Sequence, residues 1–106
     1  MEKYKVEFSR RANLQIHNIF AYISEDNSNA ALKVIDALEA KAIQLGRSPF
    51  IGIELSNDEY PFLPLGYRKV VVKPFVMYYR IIDQTVYITH IVHSKRNQTR
   101  AILEEE

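Results

Sequence analysis

The chain has no cysteine among its 106 residues. That removes disulfides, thiolate-ligated zinc and thiol catalysis together. Glycine is scarce, with three in the whole chain, so no glycine-rich phosphate loop can be built. No Gly-x-Ser-x-Gly nucleophile elbow exists. No His, Asp and Glu fall at metal-ligand spacing, so neither a metal nor another cofactor is expected. No run approaches the roughly 18 apolar residues that a membrane span needs. Met1-Glu2-Lys3-Tyr4-Lys5 has no apolar stretch behind it, unlike a secretory signal. These absences point to a soluble, cytoplasmic protein that makes no membrane contact.

What is present is an ordinary globular composition, 47% hydrophobic and 25% charged. Such a chain should fold rather than stay disordered. The length fits one domain, residues 1–106, on a usual size of roughly 100–200 residues. The net charge of +1 hides an asymmetry. Up to Leu65 there are 7 basic and 9 acidic residues. From Gly66 to Leu103, Arg68, Lys69, Lys73, Arg80, Lys95, Arg96 and Arg100 stand against Asp83 alone. The tail Glu104-Glu105-Glu106 restores the balance. A basic C-terminal half suggests an anionic partner, nucleic acid or acidic protein. The plain alternative is strand edges carrying lysine against aggregation.

Periodicity gives the elements. Tyr4 to Phe8 alternates apolar and polar, as a first strand does. Ser9 reads as an N-cap, and Ala12, Ile16, Ile19, Phe20 and Ile23 form one stripe of a helix over about 10–24. Asn27 or Ser28 starts a second helix, with Ala31, Ile35, Leu38, Ala42 and Leu45 as its stripe. Gly46 reads as the residue just past its end, with Pro49 following. The two make an antiparallel hairpin. Residues 50–65 show no period and read as a loop. Tyr67 to Lys73, Phe75 to Ile82 and Val86 to Val92 then read as strands joined by close turns, hence antiparallel. A short helix runs through Ile102. The expected fold is two-layer α+β: an N-terminal strand, a helical hairpin, then a three-stranded antiparallel meander completing one sheet of about four strands. The position of the first strand in that sheet is left open.

The candidate chemistry is concentrated in the meander. By alternation, His90 shares a face with Val86, Ile88 and Val92, the position of a packed histidine. His93 shares a face with Tyr87, Thr89 and Ile91 and ends its strand beside Lys95 and Arg96. It is the better functional candidate, against simple exposure, because imidazole titrates near neutrality. Tyr78 and Tyr79 point to opposite faces: one packs under the helices, and the other is either exposed, to stack on a base or anchor a partner, or a satisfied core tyrosine as well. Arg68 shares a face with Val70 and Val72, and Lys69 and Lys73 lie on the other. The basic residues therefore do not define one cleft.

Several fragments occur together in order: Phe8-Ser9 with Ala12; Leu45, Pro49 and Gly52 as Leu-x-x-x-Pro-x-x-Gly; Gly66-Tyr67-Arg68; Tyr79-Arg80-Ile81; and His93-x-x-Arg96. With this series the chain resembles the RelE/ParE superfamily of toxins over nearly its whole length. The resemblance implies the toxin of a type II toxin–antitoxin pair, a growth inhibitor of the plasmid-stabilization kind. A cognate antitoxin would neutralise it and alone would contact operator DNA. RelE-like members are ribosome-dependent mRNA interferases; ParE-like members inhibit DNA gyrase. RelE-like cleavage needs lysines and arginines along the sheet and a late tyrosine. Here Val70, Val76 and Ile102 stand at such positions, so the chain is closer to the ParE branch. The target-binding set implied is Arg68, Lys69, Lys73, Arg80, His93, Lys95 and Arg96. An endoribonuclease would draw instead on His93, Arg68 and Arg96 without metal. A third reading is an inactive member kept for binding or regulation.

Overall fold

The computed structural model describes residues 3–103. The acidic residues 104–106 lie outside that range. The elements are β1 (Lys5–Phe8), α1 (Arg10–Ser24), α2 (Ser28–Arg47), β2 (Ile53–Glu54), β3 (Tyr67–Val72), β4 (Phe75–Ile82), β5 (Thr85–His93) and α3 (Gln98–Leu103). The order in the single sheet is β1-β5-β4-β3-β2. The meander β3-β4-β5 is antiparallel, as the close turns require. The sheet as a whole is mixed and has five strands. β1 pairs parallel with β5 at one edge, because the hairpin carries the chain over one face before it returns. β2, a two-residue strand from within the aperiodic 50–65 stretch, pairs with β3 at the other edge.

The helices start where capping chemistry places them. Ser9 Oγ accepts from the Ala12 amide at 3.0 Å, and Asn27 Oδ1 accepts from that of Ala30 at 3.0 Å. The end of α2 differs from expectation. Gly46 lies inside the helix, which runs to Arg47 and is capped at Ser48. Its lack of a side chain serves a close approach: a Cβ there would sit 3.1 Å from Tyr4 O and from Val6 Cγ2. The Gly46 carbonyl accepts from the Tyr4 amide at 2.8 Å, tying α2 to β1.

Two apolar cores flank the sheet. On the hairpin side lie Ala12, Leu38, Leu45, Val70, Phe75, Met77, Tyr79, Val86, Ile88 and Ile91. On the other side lie Leu55, Tyr60, Tyr67, Val76, Tyr78, Val92, Ala101 and Ile102. The 50–65 loop and α3 supply the second cover. The apolar residues 55, 60, 62 and 63 had no period to betray that role, because a folded-over loop buries residues irregularly.

Candidate functional site

Tyr79 anchors the loop that follows the hairpin. Its hydroxyl donates to the Pro49 carbonyl at 2.7 Å and accepts from the Gly52 amide at 2.9 Å. A Cβ on Gly52 would meet Tyr79 Oη at 2.5 Å and Lys69 O at 2.9 Å. The Leu45, Pro49 and Gly52 spacing is thus the imprint of one buried phenol. Burial raises the Tyr79 pKa, so it remains a neutral donor. Arg68 clamps the same loop from outside. It donates to the Gly52 carbonyl at 2.8 Å and the Phe50 carbonyl at 3.3 Å, lies 5.2 Å over the Phe50 ring, and faces Glu54 at 3.8 Å.

A β-bulge places the histidines. Tyr78 pairs with His90 but Tyr79 pairs with Ile88, so Thr89 is an extra residue in β5. Beyond it the alternation is reset. Val86 and Ile88 face the hairpin core, while Val92 faces the α3 side, and His90 packs edge-on against Tyr78 at 6.3 Å. The single face expected for Val86, Ile88, His90 and Val92 is therefore corrected. His93 likewise parts from Tyr87 and follows Ile91 toward the hairpin side, where it meets Phe75 at 5.4 Å.

His90 is packed, and its neighbours fix its state. Arg11 Nη1 lies 2.9 Å from Nε2 and can only donate, so Nε2 carries the lone pair. Nδ1 then holds the proton and donates to Thr89 Oγ1 at 2.8 Å. Burial, followed by the Arg11 charge, pushes the pKa from 6.5 down to about 4. Arg11 also donates to the Ile102 carbonyl at 2.7 Å, holding α3. Where β1 ends, the α1 cap and an α1 side chain replace a missing strand along β5: Ser9 Oγ donates to Thr89 O and Gln15 Oε1 accepts from Ile91 N. Sequence reasoning missed Arg11 and Gln15, which appear as ordinary polar positions of an amphipathic helix.

The basic candidates divide between two ends of the meander. Arg68, Lys69 and Arg80 lie at one end, where Arg80 stacks 5.5 Å over Tyr67 and Lys69 lies 5.8 Å over Tyr60. Lys73, His93, Lys95 and Arg96 lie at the other, joined through the Ser94 amide to the Pro74 carbonyl at 2.8 Å. Phe75 to Arg80 spans about 17 Å of strand. His93 Nδ1 accepts from the Lys95 amide at 3.1 Å. His93 and Arg96 border a 230 Å³ hollow with Gln15, Asn18 and Ile19 of α1. Val70, Val76 and Ile102 are buried aliphatics of the two cores. Among the described residues no cluster of three or more His, Asp or Glu side chains could hold a metal ion.

A single antiparallel meander flanked by a β1-α1-α2 arm is the architecture of RelE/ParE-like α+β toxins. The model of the family "ParE toxin of type II toxin-antitoxin system, parDE" matches residues 6–98, and the chain belongs to that family. A solved chain of the chromosomal ParDE TA system from P. aeruginosa superposes with a TM-score of 0.69. It is 19% identical, and the match covers 88% of this chain and 98% of that one, a likeness of fold. No curated protein matches the sequence.

Proposed function

We propose that this type II toxin acts as ParE-like toxins do, by binding DNA gyrase and blocking it stoichiometrically, with no chemistry of its own. One observation carries this reading: the basic side chains sit in two groups at opposite ends of the sheet and do not converge on an acid–base pair. Metal-free RNA cleavage needs a base for the 2′-hydroxyl, a cation at the phosphate and an acid for the leaving oxygen within one cleft. Several of the side chains that could serve are otherwise engaged. His90 is neutral and saturated, Tyr78 and Tyr79 are held protonated by burial, and aliphatics occupy positions 70, 76 and 102.

The contact set is Lys69, Lys73, Arg80, His93, Lys95 and Arg96. Arg68 belongs to it mainly as the residue that shapes the loop around Phe50, since its guanidinium is already engaged. A cognate antitoxin covers the hairpin and a sheet edge by coupled folding, and it alone meets operator DNA. Toxicity takes place in the cytoplasm, where gyrase works.

The test is toxin freed of antitoxin, added to a gyrase supercoiling reaction and to a translating extract. Blocked supercoiling with intact mRNA supports the reading. Codon-specific mRNA cuts with gyrase unaffected would replace it with an mRNA interferase using His93, Arg68 and Arg96. Silence in both assays would favour an inactive binding member. Arg96→Ala with His93→Ala should lower gyrase inhibition about tenfold or more while the protein stays folded, since both lie just past the β5 core. Unchanged inhibition by a folded double variant removes them from the contact set.

A further inference from the structure

The outer edge of β1 is open, and its sequence is self-complementary. In the parallel ladder the Lys5 amide donates to Gln84 O and the Ser9 amide to Ile88 O. Residues 5, 7 and 9 therefore direct their backbone groups at β5, and residues 4, 6 and 8 direct theirs away from the sheet. The Tyr4 amide is taken by Gly46 O of α2. That leaves Val6 and Phe8 presenting N–H and C=O groups at an unprotected edge. Beside them runs a groove of about 660 Å³ between β1 and α2, its floor formed by Val6, Phe8, Ala42, Ile43 and Gly46. Ile43 is 55% exposed there.

The strand reads aromatic-Lys-Val-Glu-aromatic, Tyr4 to Phe8. Antiparallel pairing of two such strands about Val6 puts each Lys5 opposite the other copy's Glu7, and each Tyr4 opposite a Phe8. Lys5 and Glu7 project on the same face, where they already lie 3.2 Å apart within one chain. In this register Val6 and Val6 form the hydrogen-bonded pair, and the flanking Lys–Glu pairs are the closer, non-hydrogen-bonded kind. The charges and the outward backbone groups agree on the same two-fold axis. A one-residue slip would lose both.

We infer that the β1 edge is a self-association surface, and that the free toxin forms a two-fold dimer by antiparallel β1–β1 pairing centred on Val6. The interface is isologous, so each copy's groove abuts the other across the axis. It joins two sheets into one ten-stranded sheet and removes the open edge. Two backbone hydrogen bonds, two charge pairs and the two Tyr4–Phe8 pairs make it a weak, concentration-dependent dimer.

The test is sedimentation equilibrium of the full chain, freed of antitoxin, at concentrations up to about 100 µM, where a weak dimer would be populated. Wild type should show a monomer–dimer equilibrium. Lys5→Glu and Glu7→Lys should each raise the dissociation constant about tenfold, because two attractive pairs become repulsive. The double swap Lys5→Glu/Glu7→Lys should restore it. Circular dichroism confirms that these exposed changes leave the fold intact. Val6→Cys supplies the chain's only thiol, and mild oxidation should link it to a dimer, since hydrogen-bonded pairs lie about 5.5 Å apart at Cα. A wild-type monomer throughout, an unaltered dimer in the single charge variants, or no rescue by the swap would each overturn the inference. A monomer that takes up an antitoxin strand at this edge would overturn it too, in favour of a heterologous occupant.

Discussion

At the scale of single residues, Gly52 and Tyr79 carry more of the fold than their neighbours. The Tyr79 hydroxyl is the one group that satisfies both the Pro49 carbonyl and the Gly52 amide. Tyr79→Phe leaves two buried backbone groups short of a partner and should cost about 1–3 kcal/mol. Gly52→Ala should cost more, about 3 kcal/mol, because the new methyl meets the phenol oxygen, its ring and a backbone carbonyl at once. Urea denaturation of both variants checks the order, and a Gly52→Ala protein as stable as wild type would show that the loop can move aside. The Leu45-Pro49-Gly52 spacing was readable as a family feature. Its cause was not, because the phenol that imposes it lies 27 residues downstream of Gly52. His90 was readable as packed, but the face shared with Val86 and Ile88 on which that reading rested does not exist in the fold. Alternation counts assume an unbroken ladder, and the extra Thr89 breaks it.

At the scale of elements, local signals located the strands and helices while long-range pairing decided their arrangement. Ser9 and Asn27 cap their helices as their side-chain chemistry predicts. The parallel placement of β1 and the pairing of β2 depend on contacts that no window contains. Gly46 illustrates the limit: a glycine near a helix end fits a C-terminal cap, yet here it admits β1. The least expected device is the junction of α1, β5 and α3 through Arg11, His90 and the Ile102 carbonyl. It has a pH signature. His90 binds its proton near pH 6.5 when unfolded but only near about 4 when folded. Below 6.5 the unfolded state binds more protons, so stability is full above that value and declines as pH falls toward 4. The loss is on the order of 2 kcal/mol, allowing for solvent near the ring. His90→Gln should lower stability at pH 7 and flatten its decline between pH 6.5 and 4. Thermal melts at several pH values measure both. Arg11→Ala should release the Ile102 carbonyl, and hydrogen exchange over 98–103 should quicken with little change in β4.

At the scale of the whole molecule, the distribution of charge supports the binding reading proposed above. The C-terminal basicity was legible in the sequence, and so was the placement of Arg68 and Lys69 on opposite faces of β3, which follows from alternation along one strand. The division into two ends was not legible, since it depends on which strand ends the turns bring together. A catalytic site fails as a unit: removing any one member abolishes most of the rate, and a second removal adds little. A binding surface about 17 Å long behaves otherwise, because groups that far apart contribute independently. Lys69→Ala/Arg80→Ala at one end and Lys73→Ala/Lys95→Ala at the other should each weaken gyrase binding about tenfold. The quadruple variant should weaken it by about the product, near a hundredfold. Because Lys73 and Lys95 are exposed, the losses at that end should fall mainly on the association rate and shrink as salt is raised; Lys69 and Arg80 are half-buried over tyrosine rings and should be less sensitive to salt. Surface binding kinetics at two ionic strengths would read both features. Losses confined to one end would place the whole contact there. Toxicity lost entirely with either pair, with no further effect of the other, would point instead to one cooperative site.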